Sequence, residues 1–398
     1  MQTITARFNP YQKDFQSDPY PQYRELREQD PVHKSFMGTW VLTRYRDIDA
    51  ILNDAEFSSN LRNWAGFEQR YKNKEPVARL LTQSVLNTDP PAHTCLRKSV
   101  VKAFAPKDLR SLSSTITELA RRRLEMLDTS SGKFDAVAGF AVPFPVEVIS
   151  HVYGVAGYDR AQVKQWSVDV SGLIEPLPAL RSLKDAEQSI HDFESYLRDR
   201  LEQGPVNDTF PACMADAFEK GELAMDEALA NLILMFPAGH ETTVNLIGNG
   251  IYTLLRNPDQ LHLLLDRPEL MDSAIEEMLR YESPQQVAWR SLLADREIGG
   301  RMLRKGEQVM MILGAANRDP EIFEDPDRFD ITRRPNPHLA FGTGRHTCLG
   351  SWFAKLQAKI AMRLFLDRFP HVQLADESPV WHSTLSFHGL KSLPVRLV

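Results

Sequence analysis

Apolar positions recur at helical spacing along most of this chain, with short alternating or continuous runs between them. Tyr23, Leu26 and Arg27 place a helix over 20–30, and the apolar pairs in Val32-His33 and Trp40-Val41-Leu42-Thr43 predict a small hairpin. From Phe57 to Leu86 the pattern is lost, Trp64, Phe67 and Tyr71 mixing with Arg62, Arg70 and Lys72, so this stretch reads as irregular. Pro90-Pro91 opens a helix over Ala92 to Phe104 that ends before Pro106. Helical periodicity dominates from Leu109 to Glu202, with breaks at Pro143, Pro145, Pro176 and Pro178. A long helix is expected from Asp226 to Arg256, stopped by Asn257-Pro258, and another from Pro268 to Tyr281. Strand-like pieces follow at Val287–Leu292, Glu297-Ile298 and Gln308–Leu313, and a last long helix runs from after Cys348 to Phe369-Pro370. The expected fold is mainly α with minor β.

Composition narrows the class. With 42% hydrophobic and 25% charged residues over 398 positions, a large core is available, and no linker, repeat or low-complexity run divides it, so one domain over 1–398 is expected. A net charge of −6 argues against nucleic acid as a partner. The most apolar run, Leu232 to Gly239, is interrupted by Pro237 and falls far short of the ~20 residues of a membrane span. The N-terminus lacks an apolar signal core, which leads to the expectation of a cytoplasmic protein without a membrane anchor. Cys95, Cys213 and Cys348 are too scattered for a disulfide framework or a zinc site.

Cys348 nevertheless stands out. It follows the glycine-rich stretch Phe341-Gly342-Thr343-Gly344-Arg345-His346-Thr347 and precedes Leu349-Gly350 and a helix. A thiol at a helix N-terminus meets unpaired N–H groups and the positive end of the helix dipole, so it could serve as a nucleophile or as an anionic metal ligand. A dinucleotide fingerprint is excluded because Thr347 stands where its third glycine belongs. Two further patterns carry charge into apolar surroundings. Glu277 lies on the apolar side of the 268–281 helix with Arg280 three residues on, and Glu241, Thr242 and Thr243 follow Phe236-Pro237-Ala238-Gly239-His240 in a helix apolar on most faces.

Taken together these motifs resemble those of the cytochrome P450 family. Phe341, Gly344, Cys348 and Gly350 match its haem-binding loop, Glu277-x-x-Arg280 its Glu-x-x-Arg motif, and Ala238-Gly239-His240-Glu241-Thr242-Thr243 its oxygen-activation motif. The resemblance implies the cytochrome P450 fold, with haem b (iron protoporphyrin IX) between the long central helix and the cysteine-loop helix. Cys348 would be the axial thiolate and dioxygen a co-substrate. Phe341, Gly342 and Gly344 would shape the loop, and the N–H groups of Leu349 and Gly350 would face the sulfur. His93, Arg97, Arg290 and His346 would hold the haem propionates. Glu241 and Thr242 would deliver protons, with Gly239 opening the helix beside the haem. Glu277, Arg280 and Arg328, the last within Pro326-Asp327-Arg328-Phe329, would brace the cysteine loop. Candidate substrate contacts by position are Trp64, Phe67, Leu86, Leu173, Leu177, Phe236, Val287, Ala288 and Phe387.

The implied activity is monooxygenation, by hydroxylation or epoxidation, of an apolar or amphipathic small molecule such as a natural product, terpenoid, steroid or fatty acid. Oxidative coupling, desaturation or peroxide-driven oxidation is the enzymatic alternative, and a haem sensor the non-catalytic one. A monomer is expected. Electrons would come from an acidic ferredoxin or flavodoxin with an NAD(P)H reductase, docking on Lys98, Lys102, Arg345, Lys355 and Lys359.

Overall fold

A computed structural model describes residues 7–104, 109–155, 157, 159–173, 183–204, 206–375 and 379–398. Its axis is the central helix, Met225–Arg256, whose flanks Leu232, Ile233, Leu234, Ile247 and Leu254 are each at most 1% exposed. A helix apolar on nearly every face must be wrapped by others. It is packed by the helices Pro143–Val152, Arg160–Ser171 and Leu183–Glu202, by Met271–Tyr281, and by the C-terminal helix Ser351–Arg368. The helix runs on through Pro237.

The largest sheet of the minor β component has five strands, in the order Val32–Lys34, Trp40–Leu42, Gln308–Ile312, Val287–Leu292, Phe57–Ser58. The first two strands form the expected antiparallel hairpin, Val32 facing Leu42. Trp40–Leu42 then lies parallel to Val309–Met311, and Val287–Leu292 is antiparallel to the same strand. Two apolar clusters cover its faces, one around Tyr23, Val41 and Met310, the other around Leu42, Ile51 and Met311. Alternation along Val41-Leu42 and Met310-Met311 divides neighbouring residues between these faces, as the two-residue strand period requires.

The stretch expected to be irregular is more ordered. Between Phe57 and Leu86 the chain forms short helices at Phe67–Tyr71 and Glu75–Thr82, the second with a proline in its first turn. The helix Ala92–Phe104 keeps its expected limits, whereas Pro106, Pro176 and Pro178 lie outside the described residues. Pro268–Leu270 is a 3₁₀ turn ahead of the helix Met271–Tyr281.

Candidate functional site

The cysteine loop is shaped by backbone that only glycine adopts freely. Gly342 and Gly344 have φ of +63° and +69°, and a Cβ on Gly344 would lie 2.7 Å from the Leu52 carbonyl oxygen. Gly344–His346 makes a 3₁₀ turn, and the Cys348 N–H donates to the Phe341 carbonyl at 2.9 Å. Because the helix begins at Ser351, its first N–H groups are free, and those of Gly350 and Ser351 hydrogen-bond the Cys348 sulfur. Burial pushes the thiol up from its ordinary value, against these two N–H groups and the Arg97 charge. A metal ion on the sulfur would overturn that balance, since a coordinating thiol is deprotonated outright. Among the described residues no cluster of three or more His, Cys, Asp or Glu could hold a metal.

Between the cysteine loop and the central helix lies a cavity of about 360 Å³. Phe341, Gly342, His346, Cys348, Leu349 and Gly350 line one side, and Ala238, Gly239, Thr242 and Thr243 the other. One edge is cationic. Arg97 and Arg290 line it, and His93 packs behind against His346, the ring centroids 4.1 Å apart and the planes tilted by 41°. Burial, only partly offset by Asp89, pushes Arg290 down to about 10. Burial, then the charges of Arg290 and its neighbours, push His346 down to about 3, and His93 is lowered by burial and Arg97. The Nε2 atoms of His93 and His346 are buried without a hydrogen-bond partner. Orphaned imidazole nitrogens beside repelling guanidinium groups fit a ligand that brings carboxylates, and the haem propionates meet that demand.

On the central helix, Thr242 Oγ1 donates to the Ala238 carbonyl at 3.3 Å, bonding back to the preceding turn. Glu241 Oε1 accepts from Ser171 Oγ at 2.9 Å, a partner on the Arg160–Ser171 helix that sequence position gave no means of pairing with it. Gly239 has a second role besides bordering the cavity. A Cβ there would come 2.7 Å from Ile149 Cδ1, so its bareness lets the Pro143–Val152 helix pack closely.

Glu277 and Arg280 are both fully buried and joined by two 2.8 Å bonds, Arg280 Nε and Nη2 donating to the two carboxylate oxygens. Arg280 also donates to the carbonyls of Asn317, Pro326 and Arg328 at 2.9, 2.7 and 3.0 Å. The second guanidinium on Glu277 belongs to Arg333, at 3.3 Å. This corrects the expectation for Arg328, whose side chain is exposed and which joins the network through its carbonyl oxygen alone. Asp330 N–H and Asn336 Nδ2 complete the shell at 3.0 and 3.1 Å, tying Glu277 to the segment that leads into the cysteine loop.

Above the cavity floor the lining turns apolar. Of the candidate substrate contacts, Leu86, Val287, Ala288 and Phe387 line it. Trp64, Phe67, Leu173 and Phe236 do not. Phe236 turns away into an aromatic cluster with Tyr153, Phe193 and His240, and Phe67 is buried against Tyr71 beneath Arg62. Leu177 lies outside the described residues. Leu61, Val85, Met235 and Ser171 line the cavity as well and were missed, since nothing in their local spacing marks them. Of the cations expected to receive a redox partner, Lys355 is paired with Glu276 at 2.9 Å and Lys359 with Asp272 at 2.7 Å, which weakens the positive field on that side. Lys102 lies 3.7 Å from Glu222, and Lys98 is exposed.

The comparisons with known proteins agree with this geometry. The family model for Cytochrome P450 matches residues 264–387, from the Glu277 helix through the cysteine loop. The chain is 37% identical to the biotin biosynthesis cytochrome P450 of Bacillus subtilis over 98% of its own length and 99% of that protein. It is 36% identical to the cytochrome P450 monooxygenase PikC of Streptomyces venezuelae, covering 96% and 92% of the two chains. The crystal structure of P450BioI in complex with hexadec-9Z-enoic acid ligated acyl carrier protein superposes with a TM-score of 0.88 at 36% identity, covering 96% of this chain and 99% of that one. A fold built round a glycine-shaped cysteine loop and a cationic cradle thus has a family: the chain belongs to the cytochrome P450s. It is a P450 oxidoreductase, of a family whose cofactor is a haem held by thiolate and whose oxidant is dioxygen. Among the described residues no helix is long and apolar enough to cross a membrane.

Proposed function

We propose that this protein is a haem b monooxygenase with Cys348 as axial ligand, inserting one oxygen atom into an apolar or amphipathic small molecule. The observation that carries the reading is the single cavity on which Cys348, the cationic edge and the Thr242 turn all converge. The haem would supply dioxygen binding and oxidising power, its thiolate favouring O–O cleavage. Gly350 and Ser351 N–H groups would temper the charge on the sulfur, and Phe341 and Leu349 would wall it from water. His93, Arg97, Arg290 and His346 would clamp the propionates. Thr242, at the cavity wall, would orient the water that passes protons from Glu241 to the oxygen side.

Leu61, Leu86, Val287 and Phe387 support an apolar substrate, and the relatives' involvement with biotin biosynthesis and an acyl-carrier-linked fatty acid favours acyl chains and natural products as the class. The Glu241–Thr242 pair favours dioxygen over peroxide, because peroxide arrives already reduced and protonated. Electrons would come from a separate ferredoxin or flavodoxin with its reductase, meeting the exposed Lys98 side.

The test is the carbon monoxide difference spectrum of the dithionite-reduced, haem-loaded protein. A strongly red-shifted Soret band that Cys348→His abolishes is expected. A band at the ordinary haem-protein position in the unaltered protein would remove Cys348 as thiolate ligand. Substrate class is then read from spin-state shifts across fatty acids, carrier-linked acyl chains, macrolactones and steroids.

A further inference from the structure

The helix Arg160–Ser171 crosses the central helix through apolar contacts such as Val163 and Val170, both fully buried. Two serines interrupt this interface on one face, Ser167 at 0% and Ser171 at 7% exposure. Ser171 Oγ lies 2.9 Å from Glu241 Oε1 and 2.9 Å from the Ser167 carbonyl oxygen. Its hydroxyl carries one proton, so it can donate to only one of them at a time. Ser171 also borders the cavity.

We propose that Ser171 is a proton-relay and positioning residue for Glu241, the inner end of a polar seam between the Arg160–Ser171 helix and the central helix. The inference rests on the reading of Glu241 and Thr242 as the proton-donating pair. Two arrangements of the same atoms are available. With Glu241 ionised, Ser171 donates to its carboxylate. With Glu241 protonated, the carboxyl donates to Ser171 Oγ and Ser171 turns its own proton to the Ser167 carbonyl. To reload the acid, the Ser171 proton passes to Glu241 while the adjacent water gives a proton to Ser171 Oγ and takes one from bulk solvent, so hydroxyl and water are both unchanged after each passage and the net donor is a solvent proton.

Two further features extend the seam outward. Ser167 Oγ, one turn back on the same face, is buried with no hydrogen-bond partner, which suits it to hold a bridging water. Lys164 lies one turn further out, half-buried and within electrostatic reach of buried His240 on the central helix.

The experiment uses the haem-loaded enzyme with a surrogate ferredoxin, its reductase and NADPH, comparing Ser171→Ala, Ser171→Thr and Ser171→Val with Glu241→Gln. Thr and Val have the same shape and differ only in the hydroxyl, so this pair decides the matter should the alanine variant fail to fold. In the resting enzyme, the infrared carboxyl stretch lost in Glu241→Gln should shift in Ser171→Val and stay in place in Ser171→Thr. In turnover, Val should slow NADPH oxidation about three- to tenfold, a modest share of what a general acid contributes. It should also enlarge the solvent deuterium isotope effect and raise peroxide released per NADPH, while Thr restores all three. Carbon monoxide spectra and melting temperatures should match throughout. An unmoved infrared band and isotope effect in Ser171→Val, with Glu241→Gln slow, overturns the relay alone. If Glu241→Gln itself behaves as the unaltered enzyme, the acid–alcohol reading has failed and the relay falls with it. A slower Ser171→Val without the isotope or infrared change reduces Ser171 to packing and overturns the proposal too.

Discussion

Replacing Glu277 with Gln keeps the shape of the side chain and removes its charge from the most enclosed ionic network described in the molecule. Oε1 accepts from Arg280 at 2.8 Å, Asp330 N–H at 3.0 Å and Arg333 at 3.3 Å, and Oε2 accepts from Arg280 at 2.8 Å and Asn336 at 3.1 Å. An amide nitrogen can accept none of these, so whichever end carries the NH₂ meets at least two donors face to face. Arg280, at 0% exposure, would then be buried without a counter-charge. Breaking such a pair costs about 3–5 kcal/mol. An unfolding entropy of ~2.1 cal/mol/K per residue gives roughly 0.8 kcal/mol/K for a chain of 398 residues, so Tm should fall by about 4–6 °C. Circular dichroism melts of the haem-loaded protein read this directly. The control is Lys355→Gln, which breaks a 2.9 Å pair whose side chains are 40% and 35% exposed. Exposed pairs contribute about 0–1 kcal/mol, so that variant should move Tm by roughly 1 °C or less. A Glu277→Gln protein that melts with the control would refute the reasoning, because the carboxylate would then hold nothing that an amide cannot.

Other perturbations have equally definite outcomes. Arg290→Gln removes a buried donor from the cationic edge and should speed haem transfer to apomyoglobin by about tenfold, corresponding to a charged hydrogen bond of ~1.5 kcal/mol; an unchanged transfer rate would remove Arg290 from the propionate clamp. His240, pushed by burial to about 4, stays neutral in the fold while the unfolded chain protonates near pH 6.5. Stability should therefore decline as pH falls from about 6.5 to 4, by up to ~3 kcal/mol, and this component should be missing from the pH–Tm profile of His240→Gln. Gly239→Ala should lower Tm by about 1–2 °C through its clash with Ile149 Cδ1, and adding Ile149→Val should recover most of the loss; failure of the double variant to recover would assign the glycine to the cavity side alone.

Proline and asparagine made the long helices legible. Pro90-Pro91 and Asn257-Pro258 punctuate periodic segments, and the helices Ala92–Phe104 and Met225–Arg256 end within a residue of where those signals put them. Glu75-Pro76 carries the same signal, but the charged and aromatic mixture around it masks the periodicity of the Glu75–Thr82 helix. The cysteine loop was legible because its glycines, cysteine and histidine lie within ten residues and act through local backbone. Long-range partners were not. Nothing near Glu277 distinguishes Arg333 from Arg328, five residues apart, since the loop between them decides which guanidinium turns inward. Ser171 meets Glu241 across 70 residues, and spacing along one helix carries no information about a side chain on another.

The parallel pairing of Trp40–Leu42 with Val309–Met311 sets a timetable for the ribosome. Its partners are separated by 269 positions, so the N-terminal hairpin leaves the exit tunnel long before the strand that must cover its edge is made. At about 5–20 residues per second the wait is roughly 13–54 s, during which an unpaired strand edge containing Val41 and Leu42 is open to any other nascent chain. Closing this sheet is thus among the last events of biogenesis. Chaperone dependence of newly made protein should be greatest while the first three hundred residues are out and the Gln308–Ile312 strand is not.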